Sequence, residues 1–176
     1  RGLADRLENF FKIDEEVEIE FEDANVSFFR TTHTIPDSVG IVIQTKEGSV
    51  VYTGDFRIDP SAKPLYKTHF GRLTDIGENG VLALLADSSE AESHVENVSD
   101  QQAADEILET FRNAHGRVIV ACVGSNIARL QQVMDAAHTS KRTIFVPGGE
   151  LMDIVDTAIK LDKLIMPSKR TFGQMK

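Results

Sequence analysis

Residues 28–40 read Phe28-Phe29-Arg30-Thr31-Thr32-His33-Thr34-Ile35-Pro36-Asp37-Ser38-Val39-Gly40. Their first half continues a β-forming run that starts at Val26 and reaches Arg30, ending at Thr31-Thr32-His33. Pro36 then constrains the backbone of a short polar loop, and apolar residues resume at Val39. His33 therefore sits where rigid sheet hands over to irregular backbone, a position suited to holding a ligand in a fixed direction. An ordinary loop histidine bonded to a neighbouring carbonyl fits the same pattern.

Working outward, Val17, Ile19 and Phe21 alternate with Glu18, Glu20 and Glu22, the period of a half-buried strand with a solvated acidic face. Val39–Gln44 and Ser49–Thr53 form the two arms of a hairpin, with Lys46-Glu47-Gly48 as the turn and Gly48 able to take positive φ. Val81–Leu85 is a continuous apolar run between Gly80 and Asp87, which predicts a fully buried strand. Ahead of all these, Leu3, Leu7, Phe10 and Phe11 share one helical face, predicting a short amphipathic helix.

The pattern changes near Ser99. Ser99 followed by Gln102 reads as a capping box opening a helix with Ala103, Ile107, Leu108 and Phe111 on one side. A strand at 118–123, a helix at about 126–138, a strand at 143–146 and a helix at about 150–161 follow. The last helix buries Leu151, Ile154, Val155 and Ala158. Strands alternating with helices at this spacing predict βαβ units on a parallel sheet. The fold class is α/β, with a domain boundary near 93–99 that gives parts 1–95 and 96–176.

Composition narrows the function. With 41% hydrophobic and 27% charged residues, the chain has the make-up of a globular domain rather than a disordered one. No apolar run approaches the roughly 20 residues of a membrane span. A single cysteine, Cys122, rules out an internal disulfide framework and favours a reducing, cytoplasmic setting. The net charge of −9 argues against nucleic-acid binding driven by the overall field, so any such partner needs a local patch or bound cations. No Gly-x-Gly-x-x-Gly or Gly-x-x-x-x-Gly-Lys string marks a nucleotide-binding module. The start at Arg1 without an initiator Met predicts a piece of something longer.

Two further strand ends carry carboxylates. In Tyr52-Thr53-Gly54-Asp55-Phe56, a glycine lets backbone come close before Asp55, which suits a metal ligand able to bridge two cations. A turn aspartate capping local N–H groups is the other reading. In Ala86-Asp87-Ser88-Ser89, Asp87 fits a carboxylate that orients a histidine from elsewhere, or an Asx turn. Ser125 and Asn126 open a helix after a strand, where free N–H groups and the helix dipole favour phosphate, or where they simply cap the helix. His69, His94, His115 and His138 show no ligand spacing and read as surface or helix-end residues.

Taken together, these words in this order resemble the metallo-β-lactamase fold and, within it, the β-CASP nucleases, with ribonuclease J as the nearest family. Residues 28–40 are similar to that family's third metal motif and Tyr52–Phe56 to its fourth. Leu84-Leu85-Ala86-Asp87-Ser88-Ser89 is similar to the acidic motif that opens the β-CASP insert. The likeness continues through Gly124-Ser125-Asn126-Ile127-Ala128-Arg129-Leu130-Gln131-Gln132, so it covers nearly the whole chain. His-Thr-Ile-Pro-Asp-Ser is specific, whereas Thr-Gly-Asp occurs in many metallo-β-lactamase hydrolases. Asp135–His138 and Thr157–Leu161 resemble the second of two paralogues found in Gram-positive bacteria.

The resemblance implies part of an αββα sandwich followed by the start of a β-CASP domain with a parallel βαβ sheet. It implies a zinc-dependent ribonuclease, 5′-3′ exonuclease and endonuclease, acting in RNA processing and decay, with two Zn2+ per full-length chain. His33 would ligate one zinc, Asp55 would bridge both, and Asp87 would orient a catalytic histidine. Ser125 and Asn126 would face RNA phosphate. The family's His-x-His-x-Asp-His motif is absent from these residues and is expected upstream of Arg1. The 5′-phosphate pocket and later histidines are expected after Lys176. The expected partners are RNA and a homo- or hetero-oligomer with another ribonuclease J, with no membrane. The alternative is a catalytically weak paralogue that serves as structural partner of an active ribonuclease J. A small-molecule hydrolase on the same scaffold would not need the insert after Ser99.

Overall fold

A strand of alternating side chains becomes stable only when each neighbour pairs its backbone, and residues 18–52 satisfy this in chain order. In the computed structural model, which describes residues 11–93, 98–168 and 171–173, five strands form one sheet in the order β1-β2-β3-β4-β5. They are β1 (Glu18–Glu20), β2 (Ala24–Arg30), β3 (Val39–Thr45), β4 (Gly48–Tyr52) and β5 (Ala83–Leu85). The first three junctions are antiparallel and β4 pairs with β5 in parallel. The expected amphipathic helix at residues 3–11 falls almost entirely outside the described residues, and His94 lies outside them as well.

The described residues group into two compact units, and neither is a continuous stretch of chain. The first holds residues 11–31, Val39–Phe56 and Thr68–Ser88; the second holds Thr32–Ser38, Arg57–Lys67 and the chain from Ser89 onward.

In the first unit the β3–β4 hairpin turns at Gly48, which takes φ +140° as its place in the turn predicts. Phe29, Val42 and Val51 form the core and are closed over by Leu73 and Ile76 of α1 (Phe70–Glu78). Gly40 lies opposite Phe29 in the ladder, and a Cβ there would come within 2.2 Å of the Phe29 ring. The ring thus occupies the space a side chain would need. The fully buried strand expected at Val81–Leu85 is not found: Leu82 is 66% exposed, Leu84 62% and Leu85 51%. β5 is the last strand of the sheet and pairs on one side only, so a run apolar on both faces meets solvent among the described residues.

The second unit is mainly helical: α2 (Asp100–Asn113), α3 (Ile127–Thr139) and α4 (Gly149–Lys160). Ser99 caps α2, its side chain accepting from Gln102 N at 3.2 Å, as the Ser-x-x-Gln spacing predicts. Ile127, Leu130 and Met134 of α3 pack with Val155 and Ala158 of α4 and with Leu164. Phe111 of α2 packs with Ala136 and Ala137 of α3, and Ile107 and Leu108 join this second cluster. Arg142 satisfies the carboxyl end of α2 by donating to the carbonyls of Phe111 (3.0 Å), Gly116 (2.7 Å) and Ala114, where a cation also meets the negative end of the dipole.

Among the described residues, the parallel sheet expected in this half is present only as one bridge, Ile144 with Phe172. Residues 118–123 are not laddered, and Ile119 (93%) and Val123 (71%) are exposed. A β-branched run specifies extended backbone, but a strand also needs a partner edge, and among the described residues 118–123 has none.

The segment Arg57–Lys67 is fixed to α2 by a buried carboxylate. Asp59 accepts from the Ser61 amide (2.8 Å), the Ser61 hydroxyl (2.6 Å) and the Asp100 amide (2.7 Å), while Arg57 pairs with Asp100 at 2.5 Å. Burial pushes the Asp59 carboxyl up, but the three hydrogen bonds and the Arg57 charge outweigh it and hold the group below the ordinary 3.8. Because the folded value is lowered, this contribution is complete above about pH 4 and drains away as the pH falls further. Urea titrations from pH 7 to pH 2.5 should show Asp59→Asn less stable than the parent at neutrality, with the gap closing at acid pH; a constant gap would contradict this. Gly40→Ala should cost about 1–3 kcal/mol by displacing the Phe29 ring, measured as a lower denaturation midpoint.

Candidate metal centre

The two candidate carboxylates of the first unit follow adjacent parallel strands, β4 and β5. Parallel strands put their carboxyl ends on the same edge of the sheet, so Asp55 and Asp87 leave it side by side in topology. Thr53 fixes this edge. Its amide donates to Leu85 O at 3.0 Å, extending the ladder one residue past Tyr52, and its hydroxyl accepts from the Asp87 amide at 3.0 Å. The same hydroxyl lies 2.7 Å from Gly54 O and donates to it. Gly54 adopts φ +60°, and a Cβ on it would stand 3.3 Å from Val39 O, so glycine is what allows this sharp exit before Asp55. Asp55 is exposed and Asp87 half-buried.

His33 belongs to the second unit. Thr32 beside it is fully buried and forms an isolated antiparallel bridge with Arg57, whose amide donates to Thr32 O at 2.9 Å. The His33 Nε2 lies 3.4 Å from the Thr34 hydroxyl, and Thr34 O accepts from the Ala128 amide at 3.3 Å. Asp37 takes φ +58° and pairs with Lys163 at 2.5 Å. The Pro-containing loop is thus held at several points, and His33 is half-buried on it.

Imidazole and carboxylate are the right donors for zinc, which takes at least three protein ligands in a catalytic site and four in a structural one. Among the described residues no group of three or more His, Cys, Asp or Glu side chains is arranged to hold a metal ion. These residues therefore do not amount to a complete metal site.

At the start of α3 the amides are already engaged. Asn126 N donates to Val123 O (2.9 Å), Ile127 N to Ser125 O (2.9 Å), Ala128 N to Thr34 O (3.3 Å) and Arg129 N to Asn126 Oδ1 (2.9 Å). Asn126 is the N-cap, the simpler of its two readings. What this helix end offers an anion is the exposed Ser125 hydroxyl and the dipole. His69 caps α1 in position and pairs with Glu15 at 2.9 Å, and His115 is exposed. His138 lies in the last turn of α3. The residue that sequence reading passed over is Thr53. A hydroxyl between a strand and Gly-Asp was the available signal, but its bond to Asp87 spans 34 positions.

The model of the family described as "Ribonuclease J, beta-CASP domain" matches residues 115–175. The protein named Ribonuclease J 2 from Streptococcus pyogenes serotype M3 is 47% identical over 165 residues, 94% of this chain and 30% of that protein. Its namesake in Staphylococcus saprophyticus is 38% identical over 152 residues, 86% of this chain and 27% of the relative. The one in Staphylococcus aureus is 35% identical over 163 residues, 93% of this chain and 29% of the relative. The chain thus spans under a third of the length of these relatives. Their shared name agrees with the paralogue that residues 135–138 and 157–161 resemble. A domain match at one end and similarity along nearly all of the sequence converge: the chain resembles a part of the ribonuclease J proteins.

Proposed function

We propose that the protein containing this chain is a metal-dependent ribonuclease that hydrolyses RNA phosphodiester bonds, 5′-3′ from an end and also internally, in RNA processing and decay. The observation that carries this reading is the Thr53 junction, which delivers two carboxylates to one sheet edge at adjacent strand ends. Its chemical sense is that a bound zinc pair would lower the pKa of a water and neutralise the attacked phosphate. In this reading His33 ligates one zinc and Asp55 bridges the pair. Asp87, its amide anchored by Thr53, orients a histidine supplied from outside these 176 residues. Asp55 suits its task because it is exposed at the end of a fixed strand, and Asp87 suits orientation because it is half-buried.

The net charge of −9 makes RNA binding depend on local groups rather than on the general field. Ser125 supplies one such group through its hydroxyl at the α3 N-terminus, while Asn126 supports it by capping the helix. A cytoplasmic place is proposed on the strength of the lone Cys122, and no helix among the described residues is long and apolar enough to cross a membrane. Assembly with itself or with another ribonuclease J is part of the same proposal.

A second reading is a catalytically weak paralogue that acts as structural partner of an active ribonuclease J. Metal analysis of the full-length protein separates the two. About two zincs per chain supports the enzyme, and none supports the partner.

Asp55→Ala in the full-length protein should reduce metal-dependent RNA cleavage to background and lower the zinc content; unchanged turnover with normal metal would reject the bridging role. Ser125→Ala should weaken RNA binding about tenfold, the worth of one hydrogen bond to a charged group, with an unaltered melting temperature because Asn126 is the cap. A drop in melting temperature with unaltered RNA affinity would assign Ser125 to the helix instead.

A further inference from the structure

Within the second unit, Arg57–Lys67, the start of α2 and the middle of α3 border a small, partly open pocket of about 40 Å3 whose lining is mostly apolar with a few polar groups. Most polar groups on its wall are spoken for. Ser61 Oγ donates to Asp59 at 2.6 Å, and Lys63 pairs with Asp135 at 3.2 Å. Gln131 exchanges hydrogen bonds with the backbone of Ile165, at 2.9 and 2.7 Å. The Asp100 carboxylate is held by Arg57, and its carbonyl accepts from Gln132 Nε2 at 2.9 Å.

Two atoms on this wall remain unpaired among the described residues: the Tyr66 hydroxyl and Gln132 Oε1. Their residues are only 6% and 8% exposed, so bulk water does not reach them. A buried polar atom without a partner is costly, and such atoms in folded proteins are usually satisfied by protein or by ordered water. The two are complementary to water. The phenol can give one hydrogen bond and accept another, and the amide oxygen only accepts.

Size and charge decide the occupant. A water needs about 10–15 Å3 measured this way, so the cavity takes one to three waters and no organic group. Asp100 is already neutralised by Arg57, and Lys63 stands on the wall, which disfavours a cation. The Tyr66 phenol stays protonated, its pKa pushed up to about 12 by burial and by the charges of Asp100 and Asp37, so the wall also gives an anion little to bind.

We infer that this cavity is a built site for ordered water that receives the Tyr66 hydroxyl proton and donates to Gln132 Oε1, joining the Arg57–Lys67 segment to α3. This inference concerns the second unit alone and does not depend on the nuclease reading.

Tyr66→Phe keeps the ring and removes only the hydroxyl. It should lower the melting temperature of the full-length protein by up to about 2–4 °C. Tyr66→Phe combined with Gln132→Met should cost less than the sum of the single changes, because both lose the same water. A crystal structure should show density bonded to both atoms in the parent and altered density in Tyr66→Phe. An unchanged or raised melting temperature for Tyr66→Phe, additive effects, or a direct Tyr66–Gln132 hydrogen bond in the crystal would each overturn the proposal.

Discussion

The Thr53 hydroxyl accepts a hydrogen bond from the Asp87 amide just past β5, its amide donates to the carbonyl of Leu85, the last residue of β5, and the carboxyl edge of the first unit is organised around this pair. Parallel strands need a crossover between them, here the residues carrying α1, and such pairing holds only if the helix packs on the sheet. Leu73 and Ile76 do so against Phe29, Val42 and Val51. The apolar face of α1 and the small surface at Gly40 thus act at a distance on where Asp55 and Asp87 emerge. Packing on one face of the sheet sets chemistry at its edge.

What could be read from the sequence was what neighbouring residues decide between themselves. The Gly48 turn, the Ser99 cap and the apolar stripes of α2 and α4 are local, each fixed by spacings of a few positions. The exposure of Leu84 and the unladdered state of 118–123 depend on whether another strand or layer stands alongside, and a single run of apolar residues carries no record of that. Asn126 shows the same limit at a candidate site. Its type and place announced a helix start, but whether the amides behind it were open to an anion depended on Thr34, some 90 residues earlier in the chain.

A net charge of −9 on a chain similar to proteins named ribonuclease J poses an electrostatic problem that composition alone leaves open. Three basic side chains of the second unit are engaged within it: Arg57 with Asp100, Lys163 with Asp37, and Arg142 with backbone carbonyls.

The second unit takes in Thr32–Ser38 and Arg57–Lys67 as well as everything after Ser89. Any attempt to express the helical half alone by cutting the gene once, at a tidy linker, would leave behind the Asp59 carboxylate that receives the α2 amide and the Thr34 carbonyl that receives the α3 amide. Two helices would begin with severed anchors. The two halves are interleaved along the chain rather than appended one after the other.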